Sequence, residues 1–237
     1  MHAWKNQKIV ENFLTNTRKA IPFGGEQLDI ILRLIGKSQI NVNRYIDLGC
    51  GDGILANTLL TQYPNAQGLL IDYSPAMVDA AKKRMNCFEN QTILQDDLTN
   101  SNWKKHVIEK VDVVLSGFAI HHLKNGRKYD LFEEIYDVLK PGGIFINLEH
   151  VKSESLFGNS LFDELMVDTL YAKLKDEGKE KNKVQLMEEH LKRPDQYDNI
   201  LISVGIQCDW LKEIGFKDVD CFFKCFELAI YGGIKAI

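Results

Sequence analysis

A glycine-rich loop with two carboxylates is the first place in this chain where chemistry could occur. The run Tyr45-Ile-Asp-Leu-Gly-Cys-Gly-Asp-Gly53 has an apolar, β-prone start and three glycines at alternate positions, and a helical pattern follows it. This order is typical of a strand that ends in a tight loop at the mouth of an α/β sheet, where such folds bind nucleotides. Asp47 and Asp52 add negative charge to the loop, and that charge selects among nucleotides.

The spacing of the glycines argues against a dinucleotide. A dinucleotide loop is spaced G-x-G-x-x-G and sets a pyrophosphate against a helix N-terminus, whereas this loop is spaced G-x-G-x-G and continues with Ile54. A carboxylate at Asp52, about 4–6 Å from a pyrophosphate, would repel it. S-adenosylmethionine (SAM) carries an ammonium, a sulfonium and no phosphate, so the loop predicts SAM. A bare glycine turn in an α/β protein is the alternative interpretation.

A further carboxylate fits the ribose of an adenosyl group. Asp72 closes the apolar run that starts at Gly68, and it lies 19 residues after Gly53. A carboxylate there can accept hydrogen bonds from both ribose hydroxyls. Because NAD enzymes also carry an acid at this place, Asp72 predicts adenosine without choosing the cofactor. Tyr73 and Met77 follow and could flank the adenine, although Met77 could equally pack in a helix core.

The next strand ends in another pair of acids, Asp96 and Asp97, followed by Leu98. Asp97 could accept a hydrogen bond from the adenine amino group, and the Leu98 backbone N–H could donate to a ring nitrogen, while Asp96 is a rival for the role of Asp97. The full set of predicted cofactor-binding residues is Asp47, Gly49, Cys50, Gly51, Asp52, Gly53, Asp72, Tyr73, Met77, Asp97, Leu98 and Ser116.

Four side chains near the ends of the fourth and fifth strands are candidate catalytic residues: His121, His122, Glu149 and His150. A base is needed where an acceptor must lose a proton near neutral pH. Adjacent histidines are not expected to point into one pocket from an extended or turn backbone, so one of the two is expected to pack instead. The four residues could also bind a metal ion, but no carboxylate-rich pattern accompanies them, and we predict no metal.

The regular alternation of strands and helices ends after the fifth strand. Residues 151–206 read as helical stretches interrupted by a charged run, and an insertion at this place would lie over the carboxyl ends of the strands as a lid or substrate cap. Within it, Arg193 could pair with a substrate carboxylate, although a surface arginine is the alternative. Tyr197 is among the aromatic residues that would line a pocket under such a lid, or pack in a helical core.

Apolar runs alternate with helical patterns elsewhere, which predicts parallel strands joined by crossover helices. The predicted helices cover about residues 8–20, 26–36, 54–63, 75–88, 129–139 and 207–214, and the predicted strands cover about 44–48, 68–72, 92–95, 111–116, 144–149, 219–224 and 227–234.

The composition fits a single enzyme-sized domain. The chain has 237 residues, 45% of them apolar and 26% charged, with a formal net charge of −4. These totals lack the basic excess of nucleic-acid-binding proteins. No run reaches transmembrane length, and the first residues do not resemble a signal peptide. The five cysteines have no C-x-x-C pair, so we expect reduced thiols and a cytoplasmic location.

Five segments in order resemble the motifs of class I SAM-dependent methyltransferases, over residues 45–149. They are D-L-G-C-G-D-G at 47–53, Asp72 with Ser74-Pro-Ala-Met77, Asp97-Leu98, Ser116-Gly-Phe-Ala-Ile-His-His-Leu123 and Leu139-Lys-Pro-Gly-Gly143. The resemblance implies a three-layer, Rossmann-like α/β fold, with a seven-stranded, mostly parallel sheet of order 3-2-1-4-5-7-6 and strand seven antiparallel. It also implies that Asp47 and the glycines hold the methionine part of SAM, Asp72 the ribose, and Asp97 with Leu98 the adenine.

A narrower resemblance covers the two ends of the chain. Arg18-Lys-Ala-Ile-Pro22 and Phe222-Phe-Lys-Cys-Phe-Glu227 are similar to the corresponding parts of carboxy-SAM synthases. Those tRNA-wobble-modification enzymes carboxylate SAM, and an arginine of their cap holds the new carboxylate; Arg193 lies in a comparable place. The chain departs from that pattern at Gly51, where those enzymes typically carry a serine, and in its His121-His122 pair.

We therefore expect one domain over residues 1–237 that transfers a methyl group from SAM to an oxygen or nitrogen of a small molecule, with S-adenosylhomocysteine as product. The alternatives are a carboxy-SAM synthase-like enzyme that modifies SAM and a non-catalytic SAM-fold binding protein. The fourth strand lacks the Asn-Pro-Pro-aromatic ending of amino-methylating DNA and RNA enzymes, so we expect no nucleic acid as partner. We also expect no membrane partner, and either a monomer or a homodimer.

Overall fold

The computed structural model describes Trp4, Val10 and residues 20–237, apart from Gln39, Glu180 and the side chain of Asp195. The helix predicted over residues 8–20 falls almost entirely outside the described residues. The other predicted helices and all of the predicted strands are present, with the shifts in their ends that are given below.

Seven strands form a single sheet. They are β1 (Arg44–Leu48), β2 (Gln67–Asp72), β3 (Gln91–Gln95), β4 (Val111–Gly117), β5 (Leu139–His150), β6 (Phe216–Cys225) and β7 (Leu228–Lys235). Their order is β3-β2-β1-β4-β5-β7-β6. The strands β1 to β5 pair in parallel, whereas β7 is antiparallel to both of its neighbours. The predicted α/β class, sheet order and antiparallel seventh strand are confirmed.

Helices cover both faces of the sheet. The described α-helices are α1 (Gly24–Lys37), α2 (Ile54–Gln62), α3 (Pro75–Arg84), α4 (Asn125–Val138), α5 (Leu156–Asp176), α6 (Lys183–Leu191) and α7 (Val204–Ile214). Phe132 of α4 and Leu211 of α7 belong to the core on one face, and Ile35 of α1 and Leu59 of α2 belong to the core on the other. This cover on both faces explains why β4 is buried almost throughout, since a parallel sheet covered on both sides has no solvent-exposed face.

The centre of the sheet has the geometry of a ligand crevice. Leu48, at the carboxyl end of β1, is level with Ile71 of β2 on one side and with Ser116 of β4 on the other. The chain crosses from β1 to β2 in one direction and reaches β4 in the other, so the strand order reverses here. In open α/β sheets, ligands bind outside the carboxyl ends of the strands at this switch point.

Several elements differ in extent from the sequence-based expectation. The helix α3 ends at Arg84 instead of residue 88, α7 begins at Val204 instead of residue 207, and β6 covers Phe216–Cys225 instead of 219–224. The helix α4 begins at Asn125 instead of residue 129, directly after the N-cap position Lys124. The strand β5 begins at Leu139 instead of residue 144, because Leu139 pairs with Val111 before the glycine turn and Ile144 resumes the pairing with Val113. The Pro141-containing segment between them therefore forms an irregularity within one strand pairing and not a separate loop.

The insertion after β5 is helical, as expected for residues 151–206. It contains α5, α6 and a 3₁₀ segment, Pro194–Asp198, and none of its described residues lies in a strand. Val167 and Leu174 of α5 pack with Leu186 of α6 in a small core separate from those on the sheet. Among the described residues, no helix is both long and apolar enough to cross a membrane.

Candidate active site

A cavity of about 490 Å³ opens at the carboxyl ends of β1, β2 and β4, and we name it the loop cavity. It is lined by most of the residues that the sequence assigned to the cofactor. Of the twelve predicted cofactor-binding residues, nine line it: Asp47, Gly49, Cys50, Gly51, Asp52, Asp72, Tyr73, Met77 and Leu98.

The glycine loop has a backbone that only glycine adopts readily. Gly49, Gly51 and Gly53 all have positive φ angles, of 67°, 55° and 79°. At Gly49 the space is also closed, because an added Cβ would lie 2.1 Å from the Cβ of Ala119. The loop after β1 therefore packs against the segment after β4, and the two segments together form one wall of the cavity.

Asp47 occupies the helix end that a pyrophosphate would use in a dinucleotide fold. Its carboxylate is fully buried, and Oδ2 accepts a hydrogen bond from the backbone N–H of Ala56 at 3.2 Å, in the first turn of α2. A carboxylate at a helix N-terminus is favoured by the helix dipole. It also takes the place of an external anion, in agreement with the prediction from the glycine spacing.

Asp72 is held by two backbone N–H groups, and its carboxylate faces the loop cavity. Gly51 N donates to Oδ2 and Ser74 N donates to Oδ1, both at 2.8 Å. Burial raises the pKa of Asp72 to about 6, against the effect of these hydrogen bonds. Ser74 Oγ lies beside it, buried and with no hydrogen-bond partner among the described residues. Both groups fit the hydroxyls of a ribose, which can donate to the carboxylate and accept from the serine.

Asp52 lines the loop cavity, as predicted, and also has a partner inside the protein. Its carboxylate forms an ion pair with the guanidinium of Arg84, from the last turn of α3, and Arg84 Nε donates to the Asp52 carbonyl at 2.9 Å. Much of the negative charge of Asp52 is therefore compensated inside the protein. This pair could not be predicted from local sequence, since the two residues are 32 positions apart.

Among the described residues, the lining of the loop cavity nevertheless has more acidic than basic side chains. The carboxylates of Asp47, Asp52 and Asp72 line it, and Arg84 is the one lysine or arginine among its described lining residues. Such a wall attracts a cation and repels a diphosphate. The chemistry of the lining therefore fits a ligand with an ammonium and a sulfonium.

Three predicted cofactor-binding residues do not line the loop cavity. Gly53 lies at the start of α2, where an added Cβ would face Met85 and Ala81. Ser116 is fully buried and donates its hydroxyl to the Leu48 carbonyl at 2.8 Å, so it joins β4 to β1. Asp97 accepts a hydrogen bond from Thr99 N in its own turn.

The rival acid Asp96 has a different partner. Its Oδ2 lies 2.8 Å from His106 Nε2, and its Oδ1 accepts a hydrogen bond from the backbone N–H of Asp97. The neighbouring residue Leu98 does line the cavity. On this strand end, the predicted adenine contact is thus supported at Leu98 alone.

Sequence reasoning missed several residues of the cavity wall. Trp4 and Gly24 come from the N-terminal part of the chain, and Phe118 and Ala119 follow β4. Phe118 has a φ of 52°, an unusual backbone for an aromatic residue that is found most often at functional sites. The only sequence signal was the glycine pair after Pro22, which reads as a turn.

A second cavity of about 370 Å³ lies between the sheet and the 151–206 insertion, and we name it the histidine cavity. Its polar wall includes the predicted catalytic residues His121, His122 and His150, and its apolar wall comes from the insertion. The apolar side chains from the insertion are Phe162, Met166, Leu170, Leu174 and Leu186.

His121 lines this cavity and pairs with Glu149, which is buried behind it and lines neither cavity. His121 Nδ1 lies 2.5 Å from Glu149 Oε1, and Glu149 Oε2 accepts the His121 backbone N–H at 3.0 Å. Burial lowers the pKa of His121 and raises the pKa of Glu149. A neutral His121 that shares its Nδ1 proton with Glu149 has Nε2 as its basic nitrogen, the arrangement of a histidine oriented for proton transfer.

His122 lines the same cavity as His121, which contradicts the expectation that adjacent histidines point to different places. The two residues lie in a 3₁₀ segment, Ile120–His122, and their ring centroids are 4.0 Å apart. Trp4 Nε1 donates to His122 Nε2 at 2.9 Å, so Nδ1 carries the proton and faces the Asp198 carbonyl at 3.3 Å. With both nitrogens engaged and its pKa lowered to about 3, mainly by burial, His122 holds segments together and does not have the geometry of a base.

His150 belongs to a second histidine–carboxylate pair. Its Nε2 lies 2.8 Å from Glu227 Oε2, and Asn159 of α5 donates to the other oxygen of Glu227 at 3.1 Å. The His150 ring centroid is 5.7 Å from that of His121. The three predicted catalytic histidines and Glu149 are therefore brought together, although their hydrogen bonds give them different roles.

The two cavities adjoin. Trp4, Ile21, Phe118 and His122 line both of them, and their side chains form the boundary between the carboxylate-lined and the histidine-lined spaces. A group carried at the end of a ligand in the loop cavity would reach the histidine cavity at this boundary.

The two predicted substrate residues have different environments. Arg193 lines the histidine cavity, and its guanidinium lies 2.9 Å from the ring nitrogens of His190. Tyr197 is 81% exposed and lines neither cavity, because its short 3₁₀ segment turns the ring to solvent. Within the described residues, no group of three histidine, cysteine, aspartate or glutamate side chains is arranged to hold a metal ion.

Comparison with known proteins finds one family model and a set of similar curated enzymes. A family model described as a methyltransferase domain matches residues 46–145. Among curated proteins, the chain is 28% identical over 235 residues to a carboxy-S-adenosyl-L-methionine synthase from Pseudoalteromonas atlantica, a match that covers 96% of this chain and 90% of that protein. The enzyme of the same name from Vibrio campbellii is 27% identical over 232 residues, with 97% and 91% covered.

Solved structures match over nearly the whole chain at low identity. An O-methyltransferase family protein from Burkholderia thailandensis superposes with a TM-score of 0.58 and 15% identity, covering 98% of this chain and 63% of that one. This chain therefore spans less than two thirds of that protein's length, and the likeness concerns the fold. Together with the sheet order, these matches show that the chain has the Rossmann-like fold of class I SAM-dependent methyltransferases, and that residues 46–145 match a methyltransferase domain.

Proposed function

We propose that this protein binds SAM in the loop cavity and transfers its methyl group to an oxygen or nitrogen of a small molecule in the histidine cavity. The observation that carries this proposal is the His121–Glu149 pair, whose histidine lines a cavity that adjoins the loop cavity. A base oriented in this way serves an acceptor that must lose a proton as it attacks. The histidine and carboxylate would have no such use in a protein that only binds SAM.

The residues of the loop cavity fit each part of SAM. Asp72 and Ser74 suit the ribose hydroxyls, Leu98 and Met77 offer apolar contact for the adenine, and the charge of Asp47 suits the cationic methionine part. Bound SAM would supply a methyl group on a sulfonium, a carbon already activated for in-line displacement with a neutral leaving group. The protein's contribution is then alignment, exclusion of water and removal of one proton.

The His121 side chain would take that proton at Nε2. Glu149 holds the Nδ1 proton and stabilises the imidazolium that forms when Nε2 is protonated. The acceptor loses its proton to His121 as its oxygen or nitrogen forms the new bond to carbon, and the electron pair of the broken carbon–sulfur bond remains on sulfur.

Synthesis of carboxy-SAM is the second candidate function. It is favoured by the curated relatives, whose names carry that activity and which match 96–97% of this chain, and by Arg193, which faces the histidine cavity as a carboxylate partner would. The His121–Glu149 pair favours methyl transfer instead, because the carboxy-SAM synthase pattern differs from this chain at the His121-His122 positions.

Mass spectrometry of the ligand that copurifies with the protein separates the two functions. A methyltransferase is expected to carry SAM or S-adenosylhomocysteine, whereas a carboxy-SAM synthase should carry SAM heavier by a carboxyl group. Incubation with methyl-labelled SAM and a small-molecule extract of the native host should then label a product. Recovery of the carboxylated species without label transfer would overturn the methyltransferase proposal in favour of the second candidate.

The proposed setting and partners follow from the same features. All five cysteines are free thiols in the structure, which suits the cytoplasm, where thiols remain reduced. We propose a small-molecule acceptor as the partner, because the histidine cavity is about 370 Å³ and enclosed by the insertion. We also propose that the protein is a monomer or a homodimer, and analytical sedimentation would distinguish the two.

A further inference from the structure

A chain of buried hydrogen bonds starts at the Glu149 carboxylate and runs into the core. Asn147 Nδ2 lies 3.5 Å from Glu149 Oε2 and 2.7 Å from the Tyr231 hydroxyl, which in turn lies 2.5 Å from Gln207 Oε1. Asn147, Tyr231 and Gln207 are each at most 2% exposed. They come from β5, β7 and α7, so three separate elements supply one residue each.

The donors available fix the direction of every bond in this chain. Gln207 Nε2 donates to the Ile202 carbonyl at 3.4 Å, which leaves Gln207 Oε1 as the acceptor that faces Tyr231. The Tyr231 hydroxyl uses its single proton on that oxygen and can only accept from Asn147. Asn147 must therefore turn its NH₂ group toward Tyr231, and the second proton of the same group is directed at Glu149.

From this polarity we infer that Gln207, Tyr231 and Asn147 are positioning residues for His121: their chain presents an N–H to Glu149 and so keeps that carboxylate ionised and oriented toward His121 Nδ1. The inference rests on the proposed function, in which His121 is the base. Its consequence is a fixed tautomer, with the proton on Nδ1 and the basic nitrogen at Nε2.

The other contacts of Glu149 do not replace the Asn147 contact. Glu149 Oε1 accepts from His121 Nδ1 and from the His150 backbone N–H, and Oε2 accepts from the His121 backbone N–H. Among these donors to Glu149, Asn147 donates from a side-chain amide. The orientation of that amide depends on residues outside the His121–Glu149 pair. A buried carboxylate is stabilised by each additional N–H that it accepts.

The chain also connects the base to the end of the insertion. The Ile202 carbonyl that accepts from Gln207 accepts the Lys152 backbone N–H as well, at 3.0 Å. Two residues earlier, the Ile200 backbone N–H donates to the His121 carbonyl at 2.8 Å. The segment that returns from the insertion to α7 therefore contacts His121 directly. It also contacts His121 indirectly, through the hydrogen bonds of Gln207, Tyr231 and Asn147.

Several charged or titratable groups surround His121 and must be considered in any pH measurement. Glu149 and His150 come from β5, His122 from its own 3₁₀ segment, Lys128 from α4 and Arg193 from the insertion. Burial raises the pKa of Tyr231 above its ordinary value, so its hydroxyl remains a neutral donor throughout the range in which a histidine titrates.

The test compares Tyr231→Phe with Tyr45→Phe. Both tyrosines are at most 1% exposed, and each donates its hydroxyl to a glutamine Oε1 at 2.5 Å, but Tyr45 pairs with Gln91 at the opposite end of the sheet. Gln207→Leu breaks the same chain of hydrogen bonds at its other end, and it replaces Tyr231→Phe in the test if that variant does not fold. Circular dichroism and thermal melting show which variants are folded.

Two measurements report on His121: its tautomer and titration, and the kinetics of methyl transfer. In ¹⁵N-histidine-labelled protein, His121 should be the Nδ1–H tautomer in the parent and in Tyr45→Phe, and should show a mixed tautomer and a pKa moved by about half a pH unit or more in Tyr231→Phe. The signal is assigned with His121→Gln. With a methyl acceptor in hand, kcat should fall about tenfold in Tyr231→Phe while the KM for SAM stays the same, and the pH profile should shift with it.

These readouts keep the inference separate from the proposed function. If no methyl transfer occurs but the tautomer changes in Tyr231→Phe and Gln207→Leu, the positioning role stands and the catalytic role of His121 is lost. If His121 has the same tautomer and titration in Tyr231→Phe as in Tyr45→Phe, the positioning role is overturned, whatever the activity.

Discussion

At the scale of single residues, the hydrogen-bond partners of the acids in the loop cavity distinguish their roles. Asp52 has its charge compensated by Arg84, and Asp47 is bound to the first turn of α2. Asp72 is oriented by the N–H groups of Gly51 and Ser74, one on each oxygen. Each Asp72 oxygen retains lone pairs for a ligand. Asp72 is thus the acid whose removal should affect ligand binding most directly.

Substitution Asp72→Ala should weaken SAM binding by about 1.5–3 kcal/mol, the range for hydrogen bonds to a charged group. Titration calorimetry measures this directly. The matched control is Asp79→Ala, which removes an equal charge from an exposed position of the neighbouring helix α3 and should leave the affinity within twofold or so of the parent. Equal affinity in the two variants would remove Asp72 from the site.

The raised pKa of Asp72 makes SAM binding dependent on pH in a defined direction. With a pKa of about 6, the carboxylate is ionised at neutral pH and becomes protonated as the pH falls below that value. Protonation removes the acceptor for a ribose hydroxyl, so affinity should be constant above pH 7 and about tenfold weaker at pH 5. Calorimetry at several pH values tests this, and Asp72→Ala should lose the dependence.

Substitution His121→Ala should lower turnover far more than SAM affinity. A positioned general base contributes about 10²–10⁴-fold to a rate, whereas His121 does not line the loop cavity. Glu149→Gln should reproduce part of this loss, because the amide can present an N–H to Nδ1 and favour the other tautomer. A normal rate with the true acceptor in His121→Ala would exclude this residue as the base.

At the scale of elements, the site depends on contact between the loop after β1 and the segment after β4. Gly49 packs on Ala119, and Phe118 N donates to the Leu148 carbonyl of β5 at 2.8 Å. The left-handed backbone of Phe118 is held in place between these neighbours. Because both cavities share Phe118 as wall, a shift of either segment would change both.

Substitution Gly49→Ala should destabilise the protein by about 2 kcal/mol or more, since the new methyl group meets Ala119 and the φ is positive. Denaturant unfolding measures the loss, and SAM affinity should fall with it. Gly126→Ala is the matched control: it lies in the first turn of α4 with nothing within 4 Å of the added Cβ. It should be neutral or slightly stabilising. A Gly49→Ala variant as stable as this control would contradict the packing described here.

Local patterns were sufficient to predict the elements and the strand-end residues of the site. Alternating apolar runs gave the strands, and parallel strands bring their carboxyl ends to one edge, so Asp47, Asp72 and Leu98 meet as expected. Contacts between distant side chains were not predictable. The Arg84 guanidinium reaches Asp52 across 32 positions, and Trp4 reaches His122 across 118. Nothing in the local sequence marks either pair.

At the scale of the whole molecule, the protein consists of a sheet domain that offers a charged cavity and an insertion that covers a second one. The insertion has its own small core but returns to the sheet domain at Ile200 and Ile202, through bonds to His121 and Lys152. Lys128 adds a bond to the Ile200 carbonyl, and burial lowers the pKa of this lysine to about 8. His121 therefore has hydrogen bonds to both parts.

Because the loop cavity is built from several elements of the sheet domain, unfolding would destroy it and release its ligand. Saturating SAM, at about 100 times its dissociation constant, should stabilise the folded protein by about 2.7 kcal/mol. For a protein of this size that corresponds to a rise in Tm of roughly 5–11 °C. NAD at the same concentration should leave the Tm unchanged, since its pyrophosphate would face the carboxylates of Asp47 and Asp72. Differential scanning calorimetry tests both ligands on one sample, and stabilisation by NAD in place of SAM would overturn the assignment of the loop cavity.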